Sequence, residues 1–324
     1  MKRFSGWTAA LALIVAAASV PLAAQTYPDH PIRLIVPYGT GGVTDITART
    51  MAPLIGDALK GSIVVENKAG GSTQIGTDAV AKARPDGYTL LLASGAAIAA
   101  NPVLFKQMPY DVTRDLVGIS LISTVPYVLV VHPSVPANNA AELIAMAKAK
   151  PKSIDYSSAG NGSGNHLTAE LFANMAGIEV QHIPYKSGGA MVTDLIAGNV
   201  SFAFAALPTA LPHIKGGKLK AIGVSGETRN GSLPDVPTIR ESGLPGFVID
   251  EWLAIFAPAG TPPDIVAKLN ASVNAVLANP EAVTKLKNLG ATAAPSTPAR
   301  LDALLKSDIA RWGKLAQTVK FEMD

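Results

Sequence analysis

The chain has 324 residues, 27 basic and 24 acidic side chains, and no cysteine. The missing cysteine excludes disulfides, thiol catalysis, Cys-ligated zinc and a lipid-modified N-terminal cysteine. A net charge of +3, with no basic cluster along the chain, gives no field to draw in nucleic acid or anionic lipid.

In chain order, Lys2 and Arg3 precede an apolar run over residues 8–20 and small residues ending Leu22-Ala23-Ala24. This layout predicts a signal peptide over residues 1–24, cut before Gln25 and delivering the protein to the periplasm. The apolar run is too short for the roughly 20 residues of a membrane-spanning helix. Cleavage would remove two basic residues and no acidic one, leaving a nearly neutral protein.

Short apolar runs then alternate with amphipathic stretches. Residues 32–36, 63–65 and 88–92 read as strands, and 46–59 and 75–83 as helices. The alternation resumes with strands at 127–131, 154–157 and 219–224 and helices at 140–149, 166–175 and 192–197. Such order predicts an α/β fold of two lobes, each a mainly parallel sheet flanked by helices. Residues 101–115 and 226–246 read as irregular bridges between the lobes, because both are interrupted by proline. The expected division is lobe I over 25–123 and 225–290, lobe II over 124–224, and a C-terminal helical segment, 291–324, packing across both.

Two glycine-rich turns follow strands and open helices: Gly39-Thr40-Gly41-Gly42 before Thr44, and Ser157 to Gly164 before His166. Glycine lets backbone N–H groups face a guest, and the helix dipole behind them favours an anion. One such loop per lobe would hold a carboxylate from both sides. Gly160-x-Gly162-x-Gly164 lacks the spacing of a dinucleotide fingerprint, and Gly39-Thr40-Gly41-Gly42 is not followed by the Lys-Ser/Thr of a phosphate loop. Neither G-x-S-x-G, S-x-x-K nor H-E-x-x-H occurs, so no enzymatic activity, cofactor or metal is expected.

The run Val36-Pro37-Tyr38-Gly39-Thr40-Gly41-Gly42-Val43-Thr44-Asp45-Ile46-Thr47-Ala48-Arg49 resembles the V-P-F-x-x-G-G-x-x-D-x-x-A-R signature of the Bug (TctC-like) receptors of tripartite tricarboxylate transporters. Four further blocks agree in order: Val65-Glu66-Asn67-Lys68 through Leu90, Tyr156 to Phe172, Ile183-Pro184-Tyr185-Lys186, and Leu233-Pro234-Asp235-Val236-Pro237-Thr238 through Pro262. The resemblance implies a type II periplasmic-binding-protein (Venus-flytrap) fold and a monomer closing on a small carboxylate. The implied partner is a membrane permease of the tripartite type, or in some relatives a sensor protein.

Carried over by position, the expected contacts are Tyr38, Thr40, Gly41, Gly42, Ser94, Gly162, Ser163, His166, Tyr185 and Ala205. Asp45 and Arg49, one helical turn apart, read as braces of the first loop. Many relatives carry an acid where this chain has Ala205, and its absence argues for a di- or tricarboxylate or an aromatic acid over an amino acid. Trp252 reads as core.

Overall fold

The computed structural model describes residues 27–318; the expected signal peptide and the last six residues lie outside them. Strand β1 (Ile32–Val36) leads into helix α1 (Val43–Leu59), β2 (Ile63–Asn67), α2 (Gln74–Ala81) and β3 (Thr89–Ser94). The three strands are parallel, with β1 central, and the apolar residues of β1 and β3 are almost wholly buried. Each fully buried Leu, Ile or Phe contributes about 1.5–3 kcal/mol, so this layer is a rigid platform for the loops at its carboxyl edge.

Residues 101–115 were expected to bridge the lobes; instead they form short helical turns. A buried π-helical turn (Ala96–Ala100) runs into α3 (Asn101–Leu104), and α4 (Val112–Asp115) follows. The crossing is made by β4 itself, a 16-residue strand, Leu116–Val131. Its first part pairs antiparallel with β9 (Asp250–Pro258), and from Tyr127 onwards it pairs with β7 (Phe202–Ala206) and β8 (Lys220–Val224). Only its end, 127–131, read as strand, because Gly118, Ser120, Ser123, Thr124 and Pro126 break the apolar pattern. Two register shifts against β9 absorb that irregularity, and buried Ser120 is satisfied by Asn274 Oδ1 and Ser296 N.

The second sheet continues through α5 (Ala140–Ala149), β5 (Asp155–Ser158), α6 (Gly164–Ala176), β6 (Gln181–Pro184), α7 (Gly188–Ile196), β7 and α8 (Leu207–Lys215) to β8. Here β6, β5 and β7 are parallel, and β4 is antiparallel to β7 and β8. The chain returns to β9 through residues 225–249, which hold no strand or helix beyond one bridge between Val224 and Thr238. Phe172, Phe204 and Phe247 pack edge-on or tilted under this crossing, with ring centroids 5.3–6.0 Å apart.

Helices α9 (Pro263–Ala278) and α10 (Pro280–Asn288), the short β10 (Thr292–Ala293) on β4, and α11 (Pro298–Thr318) complete the described chain. α11 lies against β4, the π-helical turn and α3, and its Asp308 accepts Trp252 Nε1–H at 2.8 Å. Trp252 is 6% exposed, in agreement with the core reading. Among the described residues, no helix is long and apolar enough to cross a membrane.

Candidate functional site

The loop after β1 is held by a polar network behind it. Gly41 takes φ +80°, a left-handed conformation suited to glycine, and its N–H donates to Asp45 Oδ2 at 2.9 Å. Asp45 Oδ1 accepts from Arg49 Nε at 2.9 Å and from Asn67 Nδ2 at 3.0 Å, and Arg49 donates to Asn67 Oδ1 at 2.8 Å. Asn67 also holds the Tyr38 carbonyl at 3.0 Å. Gly42, the N-cap of α1, places no side chain on the first amides of the helix. The Tyr38 hydroxyl lies 2.9 Å from Ser94 Oγ at the end of β3, and burial pushes its pKa far up, so it keeps its proton.

The loop after β5 is held differently. Ser158 Oγ accepts Gly160 N–H at 3.0 Å and lies 2.6 Å from His182 Nε2. Ser163 caps α6 by accepting His166 N–H at 3.4 Å. His166 Nδ1 accepts Gly162 N–H at 3.2 Å, and its ring stacks on His182 with centroids 4.3 Å apart. Burial, then the neighbouring His182, pushes the His166 pKa down to about 3, so the imidazole is neutral.

A third loop, from β6 into α7, meets the first one directly. Ser187 caps α7 by accepting Ala190 N–H at 3.2 Å. A Cβ on Gly39 would sit 3.0 Å from Ser187 Cβ, and one on Gly189 would sit 3.3 Å from the Thr40 carbonyl. The two backbones touch, so the cleft is closed at this corner. The signal was Ser187-Gly188-Gly189 soon after the short strand Gln181–Pro184, a cap and two glycines that sequence reasoning passed over at Tyr185-Lys186.

Behind these loops lies an inner chamber of about 30 Å³, which shares Tyr38, Ala159 and Ser163 as lining with an outer one of about 390 Å³. The beginnings of four helices line the inner chamber: Thr44 of α1, Gly164 and Asn165 of α6, Gly188 of α7 and Thr209 of α8. Tyr38, Gly42, Ser94 and Ser163, all expected contacts, face it as well. Tyr185 and exposed Lys186 line the outer chamber. Thr40 and Gly41 sit exposed at the rim against Gly189, and Gly162 is buried with its N–H on His166.

The structure places His166 and Ala205 away from both chambers. His166 lies beneath its loop, with its ring between Gly162 and His182. Ala205 is fully buried in a second apolar cluster beside Val128, because side chains alternate along β7 and it is Ala206 that reaches the chamber.

Sequence reasoning missed Tyr127 and Glu251 on the chamber floor. Tyr127 is the residue at which β4 changes sheets, and Glu251 begins the apolar run of β9, where an acid reads as a strand end. The Tyr127 hydroxyl donates to Glu251 Oε2. Burial pushes the Glu251 carboxyl up to about 7, against the pull of the Tyr127 hydroxyl and the N–H groups of Ala96 and Gly95. No Lys, Arg or His lines the inner chamber, and no metal-binding group of His, Cys, Asp or Glu occurs among the described residues. The lining of the inner chamber thus offers a polar group backbone N–H donors, hydroxyls and one acid.

The comparisons with known proteins agree with this architecture. Protein BugT of Bordetella pertussis is 39% identical over 307 residues, 94% of each chain. The solved structure of Rpa4515 of R. palustris with adipate is 34% identical, superposes with a TM-score of 0.88, and the match covers 90% of this chain and 98% of that one. MatC from Rhodopseudomonas palustris with bound malate is 30% identical, with a TM-score of 0.85 and coverage of 89% and 99%. The family model described as "Tripartite tricarboxylate transporter family receptor" matches residues 47–321. The chain therefore belongs to the TctC family of tripartite tricarboxylate transporter receptors, periplasmic solute-binding proteins of the two-lobed fold.

Proposed function

We propose that this protein captures a small organic carboxylate, a dicarboxylate, tricarboxylate or aromatic acid, in the cleft between its sheets and delivers it to the permease of a tripartite transporter. The observation that carries the reading is the convergence of four helix N-termini on one chamber that no basic side chain enters. Backbone N–H groups at helix starts carry partial positive charge and exact geometry without the desolvation cost of a buried cation. The adipate and malate held by two relatives support the same ligand class.

On this reading lobe I is residues 25–123 with 225–290, lobe II is 124–224, and the C-terminal segment packs across them. The rotation is absorbed where β4 changes sheets at Pro126-Tyr127 and in residues 225–249. The guest favours the closed form through contacts that it makes only there. The closed surface is what a permease reads. Export of the chain from Gln25 into the periplasm belongs to the same reading.

A thermal-shift screen against dicarboxylates, tricarboxylates, aromatic acids, amino acids and sugars tests it. An acid at about a hundred times its Kd adds about 2.7 kcal/mol of stability. Stabilisation by sugars or amines with none by acids would remove the carboxylate assignment.

A further inference from the structure

The acid at the chamber floor changes what a guest must carry. Glu251 is 5% exposed and stands opposite Val125 of β4, where the strands pass between the sheets. Three donors hold its carboxyl: the Tyr127 hydroxyl and the backbone N–H groups of Gly95 and Ala96. A carboxylate offers about four lone-pair positions, more than these donors fill, and Glu251 lines both the chamber and a smaller pocket that it shares with Trp252, Asp308 and Arg311. From the second sheet, α6 closes directly onto this pair: a Cβ on Gly164 would lie 1.8 Å from the Tyr127 hydroxyl and 2.3 Å from Glu251 Oε2.

The other titratable groups around Glu251 do not neutralise it. Tyr38 faces it from the first loop, and its raised pKa keeps it a neutral phenol. Asp308 on α11 is a second acid, itself held by Trp252 Nε1 at 2.8 Å and by Arg311 Nε at 2.9 Å. Asp250, the preceding residue, is under the influence of that same Arg311. Above about pH 7, where Glu251 is ionised, a guest carboxylate against it would bring two like charges together, and a methylene would leave a buried acceptor unpaired. A hydroxyl or an ammonium satisfies it.

We propose that Glu251 reads a hydrogen-bond donor on the carbon chain of the guest, so that the cleft selects hydroxy- or amino-substituted carboxylates over unsubstituted ones. The inference rests on the carboxylate reading above: the helix starts take the carboxylate, and Glu251 takes the donor beside it. It reverses the expectation drawn from Ala205. The acid that can answer an amino group comes from β9 in place of β7.

The test is calorimetric titration of the purified protein, buffered above the Glu251 pKa of about 7, with two matched series, succinate, malate and aspartate, and 3-phenylpropionate, 3-phenyllactate and phenylalanine. In at least one series a donor-bearing acid binds about tenfold or more tighter than its unsubstituted parent, since a site built to bond a polar group rejects the analogue lacking it. Glu251→Gln keeps an acceptor oxygen and loses the charge. It removes the advantage of the amino acids and spares most of that of the hydroxy acids, whereas Glu251→Leu removes both. Should either variant fail to fold, the wild-type ratio decides alone. Equal binding within both series, or a ratio that survives Glu251→Leu, overturns this inference and leaves the carboxylate reading standing. Binding of none of the six acids overturns this inference, and the carboxylate reading falls with it when the wider screen finds no stabilising acid either.

Discussion

The loops after β1 and after β5 do the same work by different physics. The first is braced by a charged network, Asp45–Arg49–Asn67, whose Arg49 side chain is 52% exposed. The second is braced by a neutral imidazole with no exposed surface, His166, stacked on His182. Both hold a glycine N–H in place, at 2.9 Å for Gly41 and 3.2 Å for Gly162. An ion pair with one exposed partner, here Arg49 against buried Asp45, is partly screened by salt, whereas a buried neutral bond is insensitive to salt and sensitive to packing. One lobe's loop thus answers to the solvent and the other to the core.

The largest expected effect concerns pH, because the second loop also backs onto Glu251. Between its ordinary value of 4.5 and about 7, the folded protein holds a proton on Glu251 that the unfolded chain releases. Stability therefore falls as pH rises through that window, by roughly 3 kcal/mol in all. His166 acts with the opposite sign: its pKa falls from 6.5 to about 3, so stability is lost as pH drops through that range. Urea unfolding of Glu251→Gln across pH should show only the acid-side loss, and a profile identical to wild type would sink the assignment.

Next in size is a pair of glycine substitutions. Gly164→Ala drives a Cβ into the Tyr127 hydroxyl and Glu251, an overpacking worth about 1–3 kcal/mol. Gly41→Ala finds ordinary room, its Cβ 3.6 Å from Gly189 Cα, and bears only the strain of φ +80°, about 1 kcal/mol. Thermal unfolding should rank Gly164→Ala as the more damaging; the reverse order would mean that the second loop yields more easily than its packing implies.

The smallest effect separates the two braces. Arg49→Gln removes the exposed partner of buried Asp45 and should cost about 1 kcal/mol, a loss that about 1 M salt reduces. His166→Leu, which leaves the buried Gly162 N–H unpaired, should cost about 1–3 kcal/mol at any salt concentration. Salt-dependent unfolding of both variants checks the contrast, and a salt-dependent loss in His166→Leu would break it.

Much of this was written locally. The two glycine loops, the alternation of strand and helix, the pairing of Asp45 with Arg49 at i+4 and the core role of Trp252 all depend on neighbours within a few residues or on simple periodicity. What failed to read locally depended on the sheet. β4 looked like a short strand because its polar interruption at Ser120 is satisfied by Asn274 and Ser296, more than 150 residues away in the chain. Ala205 and Ala206 are alike in sequence, and only the register of β7 on β4 turns one into the core and the other into the chamber.

By itself the sequence determined that strand-to-helix turns rich in glycine would offer backbone amides, since that follows from the absence of a Cβ. Tertiary structure alone decided which of those turns face each other, and it added Ser187-Gly188-Gly189. It also set Tyr127 and Glu251 under them, by bringing together strands separated by 124 residues. An acid at the start of an apolar strand has no local signature of burial; its raised pKa and its bond to Tyr127 exist only once the two strands are brought together.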